Sequence, residues 1–304
     1  MRPSLRQLEY VVTVHRLGRF SLAAEVLHVS QPSLSAQIAQ VEADLGVRLF
    51  ERGRAGAVAT AKGEEFVRRA QRILAEVENL RGAMTSALPF AGRLRLGVLP
   101  SIGPYLLPQV VQRLHGTLPD LRILVREENT RNLEDGLKTG RLDAIISTPE
   151  DHPNTIQKRL FNEKLWVAVA TDDPLAGQAE IGPEALTGRR LLTLDRGHRL
   201  SRIVYALAAA CGGVVSDDYE GTSLDSILLM AATGTGVAVL PELFARRQAI
   251  YREEVVVAPL RMVDAHRDIA LLFPVGTDEE AGFAQLTEAL RRAAASFGLQ
   301  PLAG

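Results

Sequence analysis

Residues 20–50, FSLAAEVLHVSQPSLSAQIAQVEADLGVRLF, read as two short helices separated by a tight turn. Ser21 is placed to cap the first, with Ala23, Ala24 and Leu27 on one side, and His28-Val29 break the pattern. Ser30 caps the second, and Pro32 falls in its first turn, where a missing N–H costs nothing. Leu34, Ile38, Val41 and Leu45 follow at helical spacing and form a stripe expected to face inward. The other face carries Gln31, Ser33, Ser35, Gln37 and Gln40, short hydrogen-bonding side chains suited to base edges and phosphates in a major groove. An ordinary amphipathic helix pair would share this pattern, so the flanks decide. Leu5 to His15, with Leu8, Val11 and Val12 on its apolar side, supplies a third helix, and Gly46 to Phe50 closes the second. Glu51 to Gly56 is then a glycine-rich basic turn, a wing able to lay Arg52 and Arg54 along a phosphate backbone.

From Thr60, Phe66, Ala70, Ile73, Val77, Leu80 and Met84 repeat at alternating spacings of four and three, flanked by Glu65, Arg69, Arg72, Glu76 and Glu78. A heptad seam of this kind predicts a two-helix dimer contact, with packing against the chain's own core as the alternative. Pro89 and Gly92 mark a hinge after it. Beyond lie alternating strands and helices: strand Arg93 to Val98, helix Tyr105 to His115, strand Leu121 to Glu127, helix Arg131 to Thr139 and strand Leu142 to Ser147. A second set starts with a strand at Leu165 and runs through helices Leu200 to Cys211 and Ser223 to Thr233 to a strand at Asp268 and a last helix from Glu279 to Ser296. This order argues for a mostly parallel sheet with helices on both faces, and ligands in such folds sit at strand ends.

The net charge of −1 hides an asymmetry: residues 1–84 hold twelve Arg/Lys against nine Asp/Glu, net +3, leaving −4 for the rest. The basic part is the one with the helix-turn-helix pattern. Met1 to Ser4 lead into the first helix with no apolar signal region, no run suits a membrane span, and Cys211 is the single cysteine, so a cytoplasmic protein without an internal disulfide is expected. The six histidines (15, 28, 115, 152, 198, 266) show no metal spacing, no G-x-S-x-G occurs, and Gly234-Thr235-Gly236 lacks the third glycine of a dinucleotide loop. No enzyme, metal or cofactor is therefore expected. A transport-type binding protein would leave the helix-turn-helix unexplained.

At AAEVLHVSQPSLSAQIAQVEADLGVRLFER the sequence resembles the LysR-type transcriptional regulators, and GTGVAVLP and the overall length extend the resemblance along the chain. It implies a winged helix-turn-helix domain (residues 1–60), a dimerising linker helix (61–88) and an α/β effector domain similar to periplasmic binding proteins (92–304). The last would comprise subdomain I (92–162 and 268–304) and subdomain II (163–267). It also implies inverted half-sites on double-stranded DNA, a dimer and tetramer, a small effector and RNA polymerase as partners. Gln31, Pro32 and Ser35 become base and backbone contacts and Arg52 a phosphate contact, beside Ser21, Ser33, Gln37 and Arg54. The position after Ser35, often arginine in the family, is Ala36, which removes one direct guanine contact.

Several caps would converge on the effector cleft: Ser101-Ile102, Asn129-Thr130, Thr148, and Thr222 at capping-box spacing from Asp225. LGVLPSIGPYLLPQVVQRLHGTLPDL and LTLDRGHRLSRIVYALAAACG resemble the peroxide-sensing OxyR branch of the family. There the residue after Gly-His is the reactive cysteine. Arg199 stands at that position, beside His198, and Ala208 at the second cysteine's, so that disulfide cannot form. An arginine there suits a small anion. Cys211 is either a buried inert thiol or a single-cysteine peroxide sensor, and a DNA binder that needs no effector is the remaining alternative. The wing contact yields a prediction. Arg52→Ala should weaken binding to all DNA sequences alike and reduce the slope of log affinity against log salt by about one; a slope unchanged in a titration from low to high salt would remove the contact.

Overall fold

A computed structural model describes residues 3–53, 56–85, 88–217, 221, 223–262, 265–277 and 281–302. The chain forms two compact units, residues 1–87 with 138–141, and 88–137 with 142–304. Among the described residues no helix is long and apolar enough to cross a membrane.

In the first unit, α1 (Leu5–Leu17) enters through a capping box between Ser4 and Gln7 and ends at Gly18, whose φ of 65° a side chain would resist. Gly18 and Arg19 alone separate it from α2 (Phe20–Val26). Ser21, expected as the cap of α2, therefore lies inside its first turn, and Arg19 holds the cap position with no side-chain bond. α2 starts early because Phe20 packs edge-on against Phe50, ring centroids 6.0 Å apart. Ser30 caps α3 (Gln31–Leu45), its Oγ accepting the Ser33 N–H at 3.3 Å. Leu34, Ile38 and Val41 are buried with Val11, Val14, Ala23 and Ala24. Leu45, read as the end of that stripe, is 42% exposed instead, because Gly46 turns the chain and Leu49 and Phe50 take the inward positions.

The Glu42 carboxylate accepts the N–H groups of Leu49 at 2.7 Å and Phe50 at 3.1 Å, tying α3 to the wing. That wing is a hairpin of β1 (Phe50–Gly53) and β2 (Gly56–Ala59), with Arg52 opposite Ala57. α4 (Ala61–Thr85) follows, Thr60 Oγ1 accepting the Gly63 N–H at 2.9 Å. Phe66 and Val67 pack on the helix-turn-helix core and Ala70 is buried, whereas Ile73, Leu80 and Met84 are exposed. The first part of the expected seam is thus used within the chain, and its later apolar positions stay open.

The second unit runs β3 (Arg93–Val98), α5 (Gly103–Thr117), β4 (Arg122–Glu127), α6 (Thr130–Lys138), β5 (Ala144–Ser147), β6 (Thr155–Ala170), β7 (Arg190–Leu192), α7 (Arg199–Cys211) and β8 (Val214–Val215). It continues with α8 (Leu224–Ala232), β9 (Val237–Pro241), α9 (Glu242–Arg247), β10 (Val255–Pro259), β11 (His266–Pro274), α10 (Ala281–Ser296) and β12 (Gln300–Pro301). The sheet order is β4-β3-β5-β11-β6-β9-β7-β8, with β10 and β12 also paired to β6. β3 is parallel to β4 and β5, and β7 to β8 and β9, as the alternating pattern suggests. The mostly parallel expectation fails at the centre, where β6, β10, β11 and β12 pair antiparallel.

β6 is the reason for two cores. Its Leu160 and Phe161 belong to one, with Leu94, Ile102, Ile145 and Phe273. Its Leu165 and Val167 belong to the other, with Leu191, Val204, Ile227 and Val239. The strand expected from Leu165 extends back to Thr155, through the polar residues Lys158, Arg159, Asn162 and Glu163, and α9 lies outside the expected elements. The Glu42 brace makes a prediction at the head. Glu42→Ala leaves two amides without their acceptor and should lower the urea unfolding free energy of the head by roughly 1–3 kcal/mol; a smaller loss would mean that water replaces the carboxylate.

Candidate functional site

On the head, the N-terminus of α3 presents Gln31, Pro32 and Ser33 to solvent. Among the described residues the Gln31 side chain makes no hydrogen bond, so both halves of its amide are available for bidentate pairing with a base. Gln37 is partly engaged, its Oε1 accepting from Gln7 Nε2 at 3.1 Å, and Gln40 donates to Asp44 at 2.7 Å. Ser35 is half-buried and Ala36 exposed. Ser21 is exposed within α2. Arg54 lies outside the described residues.

In the second unit a cavity of about 530 Å³ is lined by Ser101, Tyr105, Glu127, Asn129, His198, Arg199, Asp225, Phe244 and Arg267, among others. The expected residues divide. Ser101, Asn129, His198 and Arg199 line it; Ile102, Thr130 and Thr148 are buried outside the lining, and Thr222 lies outside the described residues. Ser223 holds the cap position of α8, which displaces the capping box read from Thr222. Asn129 does cap α6, accepting the Asn132 N–H at 3.0 Å. Thr148 instead donates to Asp151 at 2.7 Å.

Arg199 is not a free cation. The side chain of Asp151, 5% exposed, accepts from Arg202 at 2.6 Å and from Arg199 at 3.3 Å. Asp195 lies 3.7 Å from His198 Nε2 and does not pair with Arg199 among the described residues. Burial holds the His198 imidazole below its ordinary pKa, with Arg267 adding to that and Asp195 opposing it, so the ring is neutral at neutral pH.

Sequence reasoning missed the pair beneath the cavity. Arg267 on β11 and Glu163 on β6 are direct cross-strand partners, Nε donating to Oε2 at 2.8 Å, and Arg267 Nη2 donates to Ser101 Oγ at 2.7 Å. Both are buried, and Glu163 also accepts the Leu243 N–H at 2.8 Å. Burial pushes the Glu163 carboxyl up, against the pull of Arg267 and that amide. The available signal was parity. Glu163 alternates with Leu165 and Val167, and Arg267 with Ile269 and Leu271, on the inward face of each strand.

Comparison with known proteins bears on both halves. Residues 5–64 match the bacterial regulatory helix-turn-helix protein, lysR family, and residues 89–295 the LysR substrate binding domain. The chain is 33% identical over 290 residues to the DNA-binding transcriptional dual regulator OxyR of Escherichia coli K12, covering 95% of each. It is likewise 33% identical to the hydrogen peroxide-inducible genes activator of Pectobacterium carotovorum, over 95% of this chain and 96% of that one. Among solved structures, a full-length OxyR variant from Pseudomonas aeruginosa is similar at a TM-score of 0.72 and 31% identity, covering 95% and 98% of the two chains.

The buried pair gives the prediction here. Arg267→Met strands the Glu163 carboxylate in the core and should cost roughly 3–5 kcal/mol in urea unfolding, while a double replacement of both residues by Met should recover most of it. Equal losses in the single and double variants would assign the cost to packing.

Proposed function

The chain belongs to the LysR family of DNA-binding transcriptional regulators, and from that premise we propose that it reads inverted DNA half-sites through α3 and is switched by a small effector in the 530 Å³ cavity. The observation that carries this is the open N-terminus of α3, where Gln31, Pro32 and Ser33 stand exposed on a capped helix. Gln31 and Ser35 take the base and backbone contacts, with Pro32, Ser33, Gln37 and Ser21 beside them and Arg52 and Arg54 on phosphate. The open stretch of α4, with Ile73, Leu80 and Met84, supports dimerisation through that helix and assembly to a tetramer. RNA polymerase is the expected partner at an activated promoter. Binding that favours one closure of the effector unit over another shifts its population, and the dimer passes this to the spacing of the heads.

The effector meets an anion-accepting end at His198 and the first turn of α7. A redox reading is the second one, favoured by relatives named for hydrogen peroxide and by Cys211, a half-buried thiol whose Sγ lies 3.8 Å from Ala208 O. Cys211 is at the opposite end of α7 from Arg199 and lines neither this cavity nor a second of about 460 Å³ beside it. Fluorescence anisotropy on the chain's own upstream DNA tests both readings. Gln31→Ala should lose roughly 1–3 kcal/mol of discrimination between specific and random DNA, more than it loses in non-specific affinity. Equal losses on both would remove the base contact. A peroxide response of the wild type that vanishes in Cys211→Ser would establish the redox reading; no response would set it aside.

A further inference from the structure

We infer that the cavity takes a small zwitterion of the α-amino-acid type, its ammonium held between Glu127 and Asp225 beside Tyr105, its carboxylate at His198, Ser101 and the start of α7. This rests on the cavity being the effector site.

The anion-accepting end is built from groups that, among the described residues, keep an unused donor or an unpartnered nitrogen. His198 is 6% exposed, and its Nε2 is buried with no hydrogen bond, the Asp195 carboxylate 3.7 Å away being out of range. An imidazole nitrogen left so costs stability unless something else reaches it. Ser101, 7% exposed, accepts from Arg267, which leaves its own O–H to donate. His198 holds the cap position of α7 without a side-chain cap bond, and among the described residues no acceptor takes the N–H groups of Arg199 and Leu200, both on the cavity wall. An oxyanion here meets hydroxyl, imidazole and backbone donors together. It does not meet a free guanidinium, since Arg199 is shared with Asp151 and Arg267 with Glu163.

The other end has the opposite character. The Glu127 carboxylate lies against the backbone of Gly103, where α5 begins, and makes no ion pair among the described residues. The N-terminus of α5 is itself satisfied: Gly103 donates to Leu99 at 3.0 Å, Pro104 has no N–H, and Tyr105 donates to Ile102 at 3.2 Å. Asp225, in the first turn of α8, has among the described residues only Arg252 at 3.5 Å. Burial pushes the Tyr105 phenol up to about 12, with the Asp225 and Glu127 carboxylates adding to it. Tyr105 and Phe244, packed edge to face at 6.2 Å, complete an aromatic wall of the kind that holds an ammonium.

Either charge alone fits poorly. A plain anion would lie opposite Glu127, which makes no ion pair among the described residues, and Asp225, which is only partly offset by Arg252 at 3.5 Å, while a plain cation would leave His198 Nε2 and the Ser101 O–H with no acceptor. One ligand with both charges satisfies both ends, and the volume lies within the range of small-molecule sites.

The test uses the full chain, thermal melting and calorimetry, and the twenty proteinogenic L-amino acids, each binder being followed by its deaminated acid and its decarboxylated amine. At least one amino acid should raise the melting temperature, with both half-ligands bound tenfold or more weakly. Glu127→Gln should weaken the amino acid at least tenfold, read on the ligand-induced increment, so that a shifted baseline does not matter. Binding of the deaminated acid as tightly as the amino acid, or of the amine as tightly, would overturn the zwitterion. So would binding of none of the twenty by a chain that still retards its own upstream DNA, which leaves the regulator reading standing. Failure to bind that DNA under any condition would strike the regulator reading itself.

Discussion

The effector unit is organised around one buried ion pair, Glu163 with Arg267. Two charges taken out of water are costly, and a pair survives in a core only where the remaining lone pairs and N–H groups are met. Here they are: Glu163 receives Arg267 and the Leu243 amide, and Arg267 also reaches Ser101. The pair sits where β6 and β11 run side by side as β6 leaves one hydrophobic core for the other. It thereby fixes the register of the two strands that join the cores, since a slip of one residue would turn both charges to the wrong face. Through Ser101 the same pair sets a wall of the cavity, so the shape of the site depends on a contact beneath it.

A second electrostatic tie lies beside the first. Asp151, in the turn after β5, holds Arg199 and Arg202 at the start of α7. Arg199 occupies the position that resembles the reactive cysteine of the OxyR branch. A disulfide would lock such a junction covalently according to redox state, whereas an ion pair answers to charge, to ligand and to ionic strength. Arg199 lines both cavities, so the tie and the neighbouring site share a residue. On the proposed reading, the ion pair stands where the OxyR branch would have a covalent reporter and answers to binding instead.

What was legible in the sequence was local. Ser30 with Pro32 announces α3 because cap and first turn are a few residues apart, and the glycine-bounded wing follows the same rule. Ser21 misled because it suits a cap by type, while the start of α2 is set by Gly18 and by the packing of Phe20 on Phe50 across the fold. Leu45 misled because a stripe drawn from periodicity does not register where the helix stops. The buried pair was missed for a different reason: charge was read as exposure. Only strand parity, which needs the strand to be recognised first, places Glu163 and Arg267 inside. Glu127, Tyr105 and Asp225 carry no motif, and their common wall arises from the tertiary fold alone.

The open apolar positions of α4 and the modest charge of the head belong to one argument. A net charge of +3 over residues 1–84 is small against the line of phosphates on a duplex, and counterion release from a few contacts gives one head only weak affinity at physiological salt. Joining two heads makes the second contact intramolecular and multiplies affinity by about a hundredfold or more without a new protein–DNA contact, but only if the spacing of the heads matches that of the half-sites. Affinity that depends on spacing can be controlled from a distance. A regulator whose heads were individually tight would hold its DNA whatever the effector unit did, so, on the proposed reading, heads that are weak singly and joined through α4 are what give the cavity control over DNA.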